Sequence, residues 1–421
     1  MRRMRIVVSP LQCWPGLRNC TLSSRSQRPA RCDVADRNLS TSAAVHDDKP
    51  PSPICNGDLA RMVEEARSPL KRGRRATEVA IGSHDYRYGS TLRGWSKNVA
   101  ASAQRRDREK GWQSNIDANY LLDLVLEQGG LCAYSGIPME LLLPHSHWRV
   151  SIERINNRKG YIKGNCCLIA AEFNTAVHKM RDEAGAPTGS AQWSKQKVEE
   201  LVHVRTGQVQ AQRLQEGIAI ARIRPSPTGP LSYRTFRGPD EEGRCFCSRC
   251  GIWKWQSEYS KCAASRTGMQ PLCKQCACDA KLTWLQTLRG HGISLLTTAR
   301  RRATSRKGVW TGAFALDLDD ILVMLWMQGG RCYYSGVPLH CAAGPADWAW
   351  SIERLDNSVT YTKENCVLIA REFQTSDHSR KNAAYPVFGT AQWSRSKVNH
   401  VWGLYHEDCE ARVVQGFPGP N

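Results

Sequence analysis

Three sets of residues in this 421-residue chain have the types and spacing for chemistry. The first is a pair of Cys-x2-Cys knuckles, Cys247/Cys250 and Cys273/Cys276, separated by 22 residues. Paired knuckles offer four thiolates in tetrahedral reach, the donor set that Zn2+ prefers. The segment they enclose is too small to fold on its own core, so a structural Zn2+ would supply its stability. Seven of the chain's cysteines fall between Cys245 and Cys278, and Cys278 competes with Cys276 for the fourth place. With no secretory signal pattern, this clustering suits a metal site in a reducing compartment better than a disulfide framework. The second set is a carboxylate, an amide and an imidazole, Glu153, Asn165 and His178, which recur 200 positions later as Glu353, Asn365 and His378. Taken singly, Glu153-Arg154 and Glu353-Arg354 read as exposed ion pairs, the Asn as turn caps and the His as solvated helix residues. The third set is basic. Arg105, Arg106, Arg108 and Lys110, then Arg300, Arg301, Arg302, Arg306 and Lys307, form clusters suited to backbone phosphates or to a solvated helix face.

The elements that must position these residues follow from an internal repeat. Positions 128–170 and 328–370 align without a gap, with 21 of 43 residues identical. The shared words are Gln-Gly-Gly at 128 and 328, Tyr-Ser-Gly at 134 and 334, Ser-Ile-Glu-Arg at 151 and 351, and Asn-Cys at 165 and 365. Glu-Phe at 172 and 372 and Ala-Gln-Trp-Ser at 191 and 391 continue the match, and Thr-Leu-Arg-Gly recurs upstream at 91 and 287. In each copy an Asp, 117 or 317, caps a helix that ends at the paired glycines. Strands are expected over 148–155 and 166–169, a helix over 170–179, and a Trp-led helix over 193–203. Trp148, Trp193, Trp348 and Trp393 read as core, and Cys132, Cys166, Cys332 and Cys366 as small buried hydrophobes.

Charge narrows the partners. Fifty-nine Lys and Arg against 39 Asp and Glu leave +20, which favours a polyanion over a small metabolite. No stretch approaches the roughly 18–20 apolar residues of a membrane span, so no membrane partner is expected. Residues 1–37 carry eight Arg and no acid before Asp33, the composition of an organellar transit peptide or of a basic tail. The expected location is intracellular: mitochondrion or plastid if that leader is a transit peptide, nucleus otherwise.

The word order Gln-Gly-Gly-x-Cys-x-Tyr-Ser-Gly-x-Pro, Ser-Ile-Glu-Arg, Asn-Cys-x-Leu-Ile resembles the HNH endonuclease family, in the phage and bacterial branch whose strand reads Asp-Arg-Ile-Asp. The intervening four-Cys segment is similar to fingers that accompany such nucleases. The resemblance implies an α+β protein with two ββα-metal domains separated by a small zinc ribbon, behind a disordered N-terminal region. The boundaries expected are 1–88 disordered, 89–205 first domain, 206–243 linker, 244–280 ribbon, 281–406 second domain and 407–421 tail. It further implies a divalent catalytic ion, Mg2+ or another, set against a DNA phosphodiester, with RNA the other substrate class. Glu153 and Glu353 resemble the family's acidic ligand, Asn165 and Asn365 its loop-tying Asn, and His178 and His378 its closing His. One departure bears on mechanism: the family's general base, a His after the acid, is Arg154 or Arg354 here, and a guanidinium cannot accept a proton. It can grip phosphate instead. The base would then be His178 or His378, or an unshared residue such as His145, His147 or His340. Thr360 replaces Gly160 in the second copy. The alternative to an endonuclease is a zinc-containing nucleic-acid-binding protein on degenerate nuclease folds. No zinc is expected within the repeats.

Overall fold

The computed structural model describes residues 51–68, 88–142, 146, 148–174, 193–223, 238–263, 268–305, 310–340, 346–356, 358–374 and 393–405. The basic leader, the tail from 407, His145, His147, His178, His378, Arg306 and Lys307 lie outside the described residues.

Copy one opens earlier than its sequence pattern predicts. Helix α1 (Asn56–Arg67) lies inside the segment 1–88 that was expected to be unstructured. Leu59, Met62, Val63 and Ala66 form an i, i+3, i+4, i+7 stripe, and Leu59 and Val63 are fully buried. Helix α2 (Leu92–Glu109) follows, capped by Thr91, whose hydroxyl accepts the Gly94 N–H at 3.0 Å. Arg93 donates to the carbonyl of Glu65 at 2.7 Å and to that of Ser68, binding α2 to the end of α1. A Cβ on Gly94 would lie 1.8 Å from the Tyr88 carbonyl oxygen, so the Thr-Leu-Arg-Gly word specifies a close crossing. Helix α3 (Ala118–Glu127) is capped by Asp117 and ends at Gly129 and Gly130, both at positive φ, as expected. The Gln128 amide then bonds both backbone groups of Leu168, tying the helix end to the sheet.

Strands β1 (Val150–Arg154) and β2 (Cys166–Ala170) pair antiparallel, with Glu153 opposite Cys167 and Arg154 opposite Cys166. Only a 3-10 turn, Ala171–Phe173, follows directly, where the pattern predicted a helix over 170–179; residues 175–192 are outside the description. Helix α4 (Lys195–Val204), capped by Ser194, ends copy one where the pattern predicted a helix over 193–203.

The segment 206–243, expected as a linker, contains helix α5 (Ala211–Arg222). Ile218 and Ala221 are buried against Leu322, and Arg289 donates to the Ala221 carbonyl at 2.7 Å as Arg93 does to the end of α1. Thus α5 is the counterpart of α1, and the Cys-rich segment is an insertion within copy two rather than a spacer between copies. That segment forms two small hairpins, β3 (Arg244–Phe246) with β4 (Trp253–Trp255) and β5 (Tyr259–Lys261) with β6 (Met269–Cys273), followed by α6 (Lys274–Leu285). Copy two resumes with α7 (Leu288–Ser305), α8 (Leu318–Met327), β7 (Trp350–Arg354), β8 (Cys366–Ala370) and α9 (Arg395–Trp402). Its register repeats that of copy one, Glu353 opposite Val367 and Arg354 opposite Cys366. The observed class is therefore α+β with small antiparallel strand pairs.

Residues 225–282 belong to one compact unit, and residues 46–224 with 283–421 to another. In the latter, the two copies share one core. Trp193 of copy one meets Phe373 and Trp348 of copy two at 5.2 and 6.1 Å between ring centres. Trp393 meets Phe173 and Trp148 at 5.3 and 6.2 Å. The four recurring tryptophans are thus packing residues, as their sequence context indicates. Within this layer Lys397 binds Glu172 at 2.7 Å, and Lys197 binds Glu372 at 3.0 Å. Among the described residues no helix is long and apolar enough to cross a membrane.

Lys397→Ala strands the Glu172 carboxylate in the core and is expected to cost about 3–5 kcal/mol. A urea-denaturation double-mutant cycle with Glu172→Ala should show strong coupling; simple addition of the two losses would show that the pair does not act as one.

Candidate functional site

Each β-hairpin carries the sequence-predicted residues at its loop end. In copy one the Asn165 side chain closes the loop: its Nδ2 donates to the carbonyls of Asn156 and Gly160 at 3.1 and 3.0 Å, and its Oδ1 accepts the Asn156 N–H at 2.9 Å. Asn365 does the same in copy two, with Asp356 and Thr360 as partners. The Asn therefore shapes the loop.

The loops are braced differently. In copy one the buried Asp107 accepts the Tyr161 N–H at 2.5 Å, and a Cβ on Gly160 would lie 2.1 Å from the Gln113 carbonyl oxygen and 2.8 Å from Asp107. Copy two has Ala303 at the place of Asp107, and there Thr360 donates its N–H to the Thr311 carbonyl at 3.0 Å. The loss of Gly160 in copy two is matched by loss of the carboxylate it packs against.

Glu153 is largely withdrawn from water, and burial raises its carboxyl pKa, opposed by the Arg154 backbone N–H and by the Arg154 and Arg106 charges. Glu353 is buried and accepts from Gln374 Nε2 at 3.2 Å. The matching Asn174 donates instead to Ser151 Oγ and the Ile152 carbonyl. Tyr134 lies beside Glu153 and Tyr334 beside Glu353; burial first, then the carboxylate charge, raises both phenols. Sequence reasoning named the Tyr-Ser-Gly word without giving its Tyr a place next to the acid.

The arginine after each acid is held by aromatic rings. Arg154 sits 5.0 Å from the Tyr161 ring centre and 5.1 Å from that of Trp112, and donates to the Lys159 carbonyl at 3.2 Å. Arg354 sits 3.8 Å from Trp310 and 5.3 Å from Tyr361, donating to Val359 at 2.7 Å. Arg106 lies over the same Tyr161 ring at 5.0 Å, Lys110 over Trp112 at 4.6 Å, and Arg300 over Phe314 at 5.1 Å. Arg105, Arg106, Arg108 and Lys110 on and just beyond α2, and Arg300, Arg301 and Arg302 on α7, are all exposed. The helix clusters and the hairpin arginines thus meet in one basic, aromatic patch per copy. Trp112 and Trp310 escaped the sequence reading because they sit at 112 and 310, off the repeat's offset of 200.

His340 does not belong to this site. Its backbone bridges to Ala349, before β7 begins and at the opposite end of the hairpin from Glu353. His291, not singled out by sequence, is buried with Nε2 3.0 Å from the Trp350 carbonyl, where copy one has Trp95 Nε1 donating to Val150. Burial lowers its pKa, and its role is structural.

In the Cys-rich unit the sulfurs of Cys247, Cys250, Cys273 and Cys276 all lie within 4.8 Å of one another. Tetrahedral Zn–S bonds of about 2.3 Å would set sulfurs about 3.8 Å apart, so a modest contraction fits the ion. Cys245, Cys262 and Cys278 are outside the group, which resolves the fourth position in favour of Cys276. Gly251, at positive φ, turns the first knuckle so that Cys247 N–H bonds the Ile252 carbonyl. Burial alone would raise the Cys247 thiol, but backbone N–H groups of Cys250, Cys273 and Arg249 outweigh it and hold it at about 6. Burial and the neighbouring sulfurs push Cys276 up. A dication would relieve that mutual repulsion. Among the described residues no other group of three or more His, Cys, Asp or Glu is placed to hold a metal.

No family model matches this chain. It is similar, at 34% identity over 79 residues, to an uncharacterized 29.0 kDa protein in the dda-modA intergenic region of Enterobacteria phage T4. That similarity covers 19% of this chain and spans 29% of the phage protein.

Two outcomes are expected. Elemental analysis should find one Zn2+ per chain, and Cys273→Ser should abolish it together with hydrogen-exchange protection in 244–285, leaving the β1–β2 and β7–β8 hairpins protected; full protection in the metal-free variant would show that the unit folds without metal. Because the folded-state pKa of Glu153 is raised, ionising it costs stability as pH climbs through that value, whereas at pH below the unfolded value near 4 the group is neutral in both states. Glu153→Gln should therefore raise the melting temperature at pH 7 and leave it unchanged near pH 3.5, and an equal shift at both pH values would assign the effect to packing.

Proposed function

We propose that this chain is a metal-dependent endonuclease of the HNH type that hydrolyses phosphodiester bonds of DNA. The observation that carries this reading is a single arrangement found twice: a withdrawn carboxylate near the end of β1 or β7, an aromatic-held guanidinium next to it, an Asn that ties the loop, and exposed cations on the adjacent helix. A divalent ion such as Mg2+, bound through Glu153 or Glu353, would neutralise charge on the phosphoryl oxygens and on the leaving alkoxide. Arg154 and Arg354 then offer a planar donor fork to a phosphate oxygen, pre-set by the rings and by one carbonyl. Neither can take the proton of the attacking water. Tyr134 and Tyr334 cannot either, since both hold their protons more tightly than a free phenol. The candidates that remain for that proton are His178 and His378, which resemble the family's closing His, and the unshared His145 and His147. The Zn2+ of the four-cysteine group is structural in this scheme, because four protein thiolates leave no open position.

A second reading is favoured by the guanidinium itself: a basic patch without a base on the strand is what a nucleic-acid-binding protein on degenerate nuclease folds would carry. The two part company on supercoiled plasmid with Mg2+ or Mn2+ at low salt. Nicking that Glu153→Ala/Glu353→Ala loses supports the nuclease, with a drop of at least about 10²-fold expected from removing a metal-holding carboxylate. Tight, salt-sensitive binding without cuts on either DNA or RNA selects the binding protein.

A further inference from the structure

The contacts between the copies have a definite symmetry. Lys197–Glu372 and Lys397–Glu172 are one contact written twice, at 3.0 and 2.7 Å. Trp193–Phe373 and Trp393–Phe173 are another, at 5.2 and 5.3 Å, and Trp193–Trp348 and Trp148–Trp393 a third, at 6.1 and 6.2 Å. Trp193 and Trp393 meet each other at 5.4 Å. When residue i touches j and the equivalent of j touches the equivalent of i, the interface is isologous, the signature of a two-fold axis. The axis here runs inside a single chain, between Trp193 and Trp393.

Both hairpins hang on that axis by the same end. Trp148 and Phe173 flank the Val150–Ala170 pair, and Trp348 and Phe373 flank Trp350–Ala370. Glu153 and Arg154 lie three and four residues further along, roughly 10–13 Å at about 3.3 Å per residue, as do Glu353 and Arg354. Two equivalent basic sites therefore flank one axis on a common core. The antiparallel backbones of a nucleic-acid duplex are related by two-fold axes, which is why two-fold proteins meet two-fold sites. A single strand has no such axis. We infer that the two hairpins work as a pair on one double-stranded nucleic acid, Arg154 taking the backbone of one strand and Arg354 that of the other. The identity of the reacting carboxylates rests on the nuclease reading above; the paired engagement of the two strands does not. The copies differ at Asp107/Ala303, Gly160/Thr360 and Asn174/Gln374, so the pairing is of two similar sites rather than two identical ones.

The test has a binding arm and a cutting arm, both with the full-length protein. Binding to a short duplex and to each of its strands is followed across salt in Ca2+ buffer. One chain per duplex is expected, with tighter binding to duplex than to either strand. The slope of log K against log salt should fall by about 0.9 in Arg154→Ala, by the same in Arg354→Ala, and by about 1.8 in the double variant. Near-ultraviolet circular dichroism of the tryptophan layer checks that each variant keeps its core, and Arg154→Lys and Arg354→Lys, which retain charge without the planar stack, should keep the slope. Equal affinity for a single strand, or a slope that only one of the two arginines affects, overturns the inference. In Mg2+, wild type should linearise plasmid, Glu153→Gln and Glu353→Gln should each stop at the nicked circle, and the double variant should do neither. Duplex binding as expected with no cutting retires the nuclease reading and leaves the paired engagement standing. Linear product from either single variant overturns the pairing and leaves the nuclease.

Discussion

An ammonium in a hydrophobic core is tolerable only with a carboxylate against it, and this chain places both members of that pair in different halves of itself. Lys397 is 1% exposed and Glu172 is fully buried; Lys197 and Glu372 repeat the arrangement. A buried pair contributes little net stability over a well-packed apolar pair, but separating its members is costly. The consequence is specificity. Copy one cannot close over its own Glu172, nor copy two over its own Glu372, without leaving a charge unmatched, so each last helix is committed to the other copy. The aromatic layer of Trp148, Trp193, Phe173 and their counterparts fills the space between, and its edge-to-face contacts supply the burial that the ion pairs do not.

This commitment explains how a small hairpin can present charged groups in a fixed geometry. Two strands of five residues are not stable alone. Here each is held at one end by the shared aromatic layer and along its length by the Gln128 or Gln328 amide, which bonds both backbone groups of Leu168 or Leu368. The loop end is then free to be built from hydrogen bonds alone, with Asn165 or Asn365 as its organiser. The two loops reach the same form by different means. A carboxylate and a glycine cooperate in copy one, while Thr360 pairs with backbone in copy two, so Gly160 and Asp107 are a coupled pair rather than two separate requirements.

Much of this was legible in sequence where one residue carries one local job. The Asp117 and Asp317 caps, the paired glycines that end α3 and α8, the Cys-x2-Cys knuckles and the buried tryptophans all act within a few residues of themselves or through burial alone. Helix α1 is hard to read because charged residues surround a narrow four-residue stripe, α5 because only Leu214, Ile218 and Ala221 face the core while Ile220 is exposed, and neither lies inside the region of strong repeat identity. The exchange of Lys197 and Lys397 could not be read at all, since the two residues look like ordinary exposed helix lysines until the partner copy is in place. The same holds for Trp112 and Trp310: their meaning lies in the guanidinium they face, which arrives from a strand some 40 residues away.

At the hairpin end a largely buried carboxylate lies beside exposed cations. Glu153 pays for its burial with a raised pKa, although two guanidiniums lie close enough to lower it. Arg154 is turned toward Tyr161 and Trp112 and the Lys159 carbonyl, so its charge serves the patch more than the acid. Tyr134 is a further group near the acid, raised first by burial and then by the Glu153 charge. Glu172, a short distance along the same hairpin, meets Lys397, and burial raises the carboxyl of its counterpart Glu372 even with Lys197 against it. Within one copy Glu172 has a buried ammonium against it, whereas the guanidinium next to Glu153 is engaged with two rings and a carbonyl. In the nuclease reading proposed above, a dication would offset the cost of ionising that carboxylate, and the adjacent guanidinium would meet the phosphate.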